Sequence, residues 1–161
     1  MMIQLSPQRG RGKIHGMLLI ENPMNSELAF PILECFHIVG FAIAIGSIAL
    51  VDFRLLGFGL RRQDPADLVK DTGLWVLISL STAIFAGLLL YSTDPDKYYL
   101  NPIFVAKIVC LVLAIVFNYT LHRKAVRPGA SSAQAKAVAC ISLLLWAGVV
   151  AGGMFIAFIA V

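Results

Sequence analysis

Four long apolar runs separated by short polar connections dominate the chain: Leu28–Val51, Leu74–Tyr91, Ile103–Leu121 and Val138–Val161. Crossing about 30 Å of hydrocarbon at 1.5 Å per residue takes roughly twenty apolar residues, which each run supplies or nearly supplies. Inside a bilayer the backbone must satisfy its own hydrogen bonds, so four such runs predict an all-α membrane protein folded as one four-helix bundle, residues 27–161. The first run differs from a plain span because it carries Glu34, His37 and Asp52. Glu34 and Asp52 are eighteen residues apart, or five turns at 3.6 per turn, and so share one face of the helix, with His37 about 60° away. That face is expected to meet other helices rather than lipid.

The remaining runs add detail. Ser26 is a candidate cap for the first helix, and Gly57 closes it. Asp64 followed by Pro65 reads as an N-cap and first helical position, which predicts a short interfacial helix ahead of the second span. On that span Trp75, Ser79, Thr82 and Ala86 form a mildly polar stripe expected to point inward, its hydroxyls bonded to their own backbone. Tyr91, Tyr98 and Tyr99 flank the next loop as an interfacial aromatic belt would, and Asn101–Pro102 starts the third span. Along it Lys107, Ala114, Asn118 and His122 fall within about 80° of one another and make a second polar seam. The fourth span carries Ser142, Trp146, Val149, Gly153 and Ala157 on one face, with a Gly148-x-x-x-Gly152 close-packing pattern on its flank.

Composition agrees with this reading. Of 161 residues 59% are hydrophobic and 14% charged, with a mean hydropathy of +0.84, which excludes an ordinary soluble domain. Eight Lys and Arg residues (Arg54, Arg61, Arg62, Lys70, Arg123, Lys124, Arg127 and Lys136) lie beside the first and third connections, so the positive-inside rule predicts an N-out/C-out bundle. Residues 1–26 lack the apolar core of a signal peptide and are expected to be a disordered tail, with Met17 and Met24 as alternative starts. The net charge of +4 suits loops beside anionic lipid, and no basic-aromatic array points to nucleic acid. Cys35, Cys110 and Cys140 stand singly inside apolar runs and are expected to be buried packing residues.

Ionisable residues within spans are functional candidates, because an unpaired charge at mid-membrane costs at least ~2.5 kcal/mol. Counted from the helix ends, Lys107 falls within a turn of Glu34 and His37, which predicts an outer cluster containing a Glu34–Lys107 pair. Asp52, Asn118, His122 and Ser142 form a second cluster near the opposite side, with Arg54 in reach and His122 expected at the interface beside Arg123 and Lys124. The leading expectation is a haem b or related redox centre with His37 as axial ligand to the iron, Lys107 beside a propionate or a charged substrate, and Glu34 alongside. A bis-histidine site with His122 is disfavoured, since the two differ in depth by about 16 Å. The other readings are a proton- or ion-translocating unit that requires a homo-oligomer, and an accessory subunit packed on a larger membrane protein.

The series Glu34-x-x-His37-Ile38, Asp52-x-Arg54-Leu55-Leu56-Gly57, Asn101-Pro102 with Lys107, His122-Arg123 and Ser142-Leu143-x-Leu145-Trp146 resembles a family of small four-span bacterial inner-membrane proteins classed as a domain of unknown function. The resemblance runs from about Met24 to Phe158 and implies a multi-pass protein of the bacterial inner membrane. More remotely, a histidine early in the first span and a lysine early in the third are similar to HemJ-type protoporphyrinogen oxidases and CopD-like membrane proteins. That likeness implies haem-linked chemistry at His37 and Lys107; where the HemJ pattern has a further histidine this chain has Asn118.

Overall fold

The computed structural model describes residues 28–59, 62–126 and 131–156. The N-terminal tail, the Ser26 cap and Ala157 lie outside the described residues. Helix α1 spans Ala29–Leu56, α2 Pro65–Thr93, the short α3 Pro95–Tyr99 and α4 Pro102–Phe117. A π-turn over Asn118–His122 follows, then α5 at Arg123–Ala125 and α6 at Ser132–Ile156. Four helices are long and apolar enough to cross a membrane, the third running through the π-turn to Ala125.

Local chemistry sets the helix ends. Gly57 closes α1 at φ +93°, a left-handed cap in which its N–H reaches the Arg54 carbonyl and Phe58 N–H the Phe53 carbonyl. Asp64 Oδ1 accepts the Ala66 N–H at 2.8 Å with Pro65 at the first position of α2. No separate interfacial helix forms ahead of the second span. The helix begun at Pro65 runs unbroken for 29 residues, about 44 Å, because no residue after the cap interrupts it. Asn101 Oδ1 caps α4 by accepting from Ile103 N at 2.9 Å and Phe104 N at 3.4 Å.

Small residues occupy much of the interior, beside Ile48, Leu80 and Trp146, while large apolar ones cover the surface. Ala44, Ala83, Ala86, Ala114 and Ala139 are buried, whereas Phe36, Leu77, Phe85, Val109 and Leu144 are exposed. Lipid solvates large apolar side chains as well as a core would, so tight packing is what brings membrane helices together, and small residues permit it. At Gly40 an added Cβ would lie 2.7 Å from the Ser79 carbonyl oxygen, which measures how closely α1 and α2 approach. Helix α1 packs mainly on α2 and secondarily on α6, and α6 packs on α4. The order around the bundle is therefore α2, α1, α6, α4, with a cleft between α2 and the third span.

Several expected faces are rotated. On α2 the buried stripe is Val76, Ser79, Leu80, Ala83 and Ala86, while Trp75 and Thr82 are exposed. Their hydroxyls do bond to their own helix, Ser79 Oγ to the Trp75 carbonyl and Thr82 Oγ1 to that of Ile78. Cys35 and Cys140 are exposed on the apolar surface rather than buried, and only Cys110 is partly enclosed, against Gly148. Tyr91 and Tyr98 do not simply flank the loop: they gather on Phe104, with Tyr91 stacked on it at 5.6 Å.

Candidate functional site

The bundle holds two polar centres, one near each end of the apolar interior. The first sits at the end bearing the α1–α2 loop and is buried. Asp52, in the last turns of α1, is completely buried, and each of its carboxylate oxygens takes a bond from a different helix. His122 Nε2 lies 2.7 Å from Oδ1, and Ser142 Oγ donates to Oδ2 at 2.7 Å. His122 and Ser142 are 2% and 1% exposed, so three spans are joined through one buried carboxylate. The sequence places these residues together; the expected interfacial position of His122 is wrong, because the π-turn carries it inward. At 100° per residue His122 would lie 40° around the helix from Asn118. A turn with i→i+5 bonding is wider, so it takes up that drift and keeps Ala114, Asn118 and His122 on one line facing the bundle. Arg54 does not join the cluster: its Nε donates to the Gln63 carbonyl at 2.8 Å, tying the loop to the end of α1.

The second centre lies near the start of α1. His37 Nδ1 is 2.7 Å from the Ala83 carbonyl. A carbonyl only accepts, so Nδ1 carries the proton and Nε2 is left with its lone pair in the neutral ring. Phe41 meets the ring edge-on at 4.9 Å, and Gly87 makes room for it: a Cβ there would come within 2.7 Å of Cε1. Lys107, half-buried on α4, packs its stem on Gly152 and holds Nζ 5.9 Å from the Phe41 ring centre. The Gly148/Gly152 pattern therefore serves α4: its two positions face Cys110 and Lys107.

Glu34 does not form the expected pair. It is exposed, and among the described residues no ion pair joins it to Lys107 within 4 Å. The cause is the path of the buried stripe along α1, which runs Gly40, Ala44, Ile48, Asp52 at intervals of four. Rows of that spacing are inclined by about 26° to the helix axis, so residues sharing a meridian at opposite ends, such as Glu34 and Asp52, do not share a neighbour. Phe36 likewise faces outward, while Phe41 is the aromatic beside His37.

Two features had no signal in the spacing. Gly87 is an unremarkable glycine until His37 is seen against it, and the buried Trp146 leaves its Nε1 without a partner among the described residues.

Four membrane-length helices closed around a buried Asp–His–Ser cluster define a small multi-pass membrane protein. A family of unknown function, DUF6644, matches residues 29–159, and the chain belongs to that family. No curated protein and no solved structure matches it, so no HemJ-type or CopD-like relative stands behind the remoter resemblance.

Proposed function

We propose that this is a small inner-membrane protein that binds haem b through His37 and serves membrane redox chemistry. The observation that carries the reading is the hydrogen bond from His37 Nδ1 to the Ala83 carbonyl. A histidine that ligates a metal through one nitrogen commonly donates from the other to a backbone carbonyl, which fixes the tautomer and orients the lone pair. Gly87 and Phe41 hold the ring in place on either side. Lys107 lies at the same level and supplies the cation that a haem propionate would meet. Glu34 stands on the outer surface near this centre without touching Lys107, and its part is at most to set the local field.

The donor chemistry fits a haem; the packing restricts where one can lie. Helices α1 and α2 are in contact at Gly40 and Gly87, which leaves no room for a macrocycle between them. His122 is committed to Asp52 and is not available as a second ligand. When bound, haem would supply a one-electron couple, and the chain's part is to orient the ligand, counter the propionate charge and exclude water.

A visible spectrum of the detergent-purified protein, oxidised and then reduced with dithionite, tests the reading. A Soret band is expected as purified or after haem reconstitution, lost in His37→Ala and kept in His122→Ala. Absence of the band in the wild-type protein after reconstitution would sink it.

A further inference from the structure

The other centre has a property that a plain structural latch does not need. A cavity of about 20 Å³ lies in the cleft between α2 and the π-turn, bounded by Thr72 and Gly73 on one side and by Asn118, His122 and Arg123 on the other. One water needs about 10–15 Å³ measured in this way, together with polar partners. Asn118 supplies one: the residue is 8% exposed and lines the cavity, and its side chain makes no hydrogen bond to another described residue. His122 lines the same cavity, and with Nε2 committed to Asp52 its remaining exchangeable atom is Nδ1.

We infer that Asp52 is a proton-binding carboxyl, loaded from the α2/π-turn cleft through one water held by Asn118 and through the His122 ring. The transfer balances. A hydronium in the cavity gives its proton to His122 Nδ1 and becomes water; the Nε2–H bond breaks as that proton passes to Asp52 Oδ1. The carboxylate becomes a carboxylic acid, and His122 ends neutral with its proton on Nδ1. Ser142 keeps its bond to Oδ2 throughout. The charged and titratable groups facing the site are few: His122 and Tyr119 on the π-turn and, at the cavity edge, Arg123, whose guanidinium stacks over the Tyr119 ring at 4.8 Å. From α2 and α6 the facing polar groups are Thr72 and Ser142, neither of which titrates.

The site is separate from His37, and its test does not involve haem. Infrared difference spectra of the full-length protein in lipid, taken between high and low pH, should show a protonated-carboxyl C=O band. That band should disappear in Asp52→Asn and shift in Ser142→Ala, which removes one hydrogen bond; the shift carries the assignment should Asp52→Asn fail to fold. Asn118→Leu supplies the kinetic arm. It keeps the side-chain volume and removes the amide that lines the cavity and would hold the water. Exchange of the Asp52 proton for deuterium should then slow by roughly tenfold or more as the water loses its polar partner. A carboxyl signal that does not change with pH, a band that survives in Asp52→Asn, or unchanged exchange in Asn118→Leu would each overturn the inference and leave an inert latch.

Discussion

Gly40 and Gly46 lie on the same helix, less than two turns apart, and alanine at the two positions should have effects of opposite sign. A Cβ on Gly40 would stand 2.7 Å from the Ser79 carbonyl oxygen and 3.0 and 3.1 Å from Ala83 Cβ and N, whereas one on Gly46 meets nothing within 4 Å. Ordinary van der Waals contact is 3.4–4 Å, and the atoms in the way at Gly40 are mostly backbone, so no rotamer change relieves the clash. Helix α1 must back away from α2 by about 0.7 Å or more, and gaps of that size forfeit a quarter to a half of each contact's dispersion energy. Overpacking of this kind costs about 1–3 kcal/mol, against about 0.5–1 kcal/mol gained when alanine replaces a helical glycine. Gly40→Ala is therefore expected to destabilise by about 1–2 kcal/mol, and Gly46→Ala to stabilise by about 0.5–1 kcal/mol. Because Ala83 is both the residue struck and the acceptor for His37, Gly40→Ala should also disturb the seat of His37, which Gly46→Ala should leave intact; under the proposed haem reading the first variant, and not the second, weakens haem retention. Reversible unfolding in mixed micelles of rising SDS content, followed by circular dichroism, reads the stabilities. Shifts of equal sign and size in the two variants would refute the closed α1–α2 seam.

The same titration tests the latch: Asp52→Ala strands His122 and Ser142 in a buried site. The expected cost is about 3–5 kcal/mol, well above the ~0.6 kcal/mol typical of one hydrogen bond between membrane helices. Replacing the whole cluster (Asp52→Leu with His122→Leu and Ser142→Ala) should recover most of that loss; a single-variant cost below about 1 kcal/mol would show that the carboxylate does not hold three helices together. Trp146→Phe should stay within about 1 kcal/mol of wild type, because the lost ring area is offset by removing a buried N–H whose unpaired state costs about 1–3 kcal/mol. A loss approaching the 3–5 kcal/mol expected of Trp146→Ala would show that this N–H is bonded after all. Tyr98, in the loop helix α3, has its phenol pKa raised above 10.0 by burial and then by the nearby carboxylates of Asp94 and Glu34. A raised acid pKa means that the unfolded chain loses this proton first, so stability is unaffected below about pH 10 and falls as pH rises through the folded value. Ultraviolet titration of tyrosinate should show one late-ionising tyrosine that Tyr98→Phe removes.

The sequence alone determined the parts of this protein that depend on near neighbours. Hydropathy over roughly twenty residues is enough to define a span. The caps at Asp64–Pro65, Asn101–Pro102 and Gly57 are short-range bonds and dihedrals, and they formed where the residues predict them. The polar line of the third span and the Ser142–Trp146–Val149 face of the fourth were also legible, since each lies on one helix over few turns. Only the tertiary structure decided which residues meet. Glu34 and Asp52 share a face over five turns, yet one is exposed and the other completely buried, because crossing helices follow an inclined row and leave the meridian. The inward face of α2 was set by the glycine contact at Gly40, the seat of His37 by Gly87, and the burial of His122 by a π-turn that no spacing announces. These depend on the approach of one backbone to another, and a periodicity read along a single helix carries no information about the angle of its neighbour.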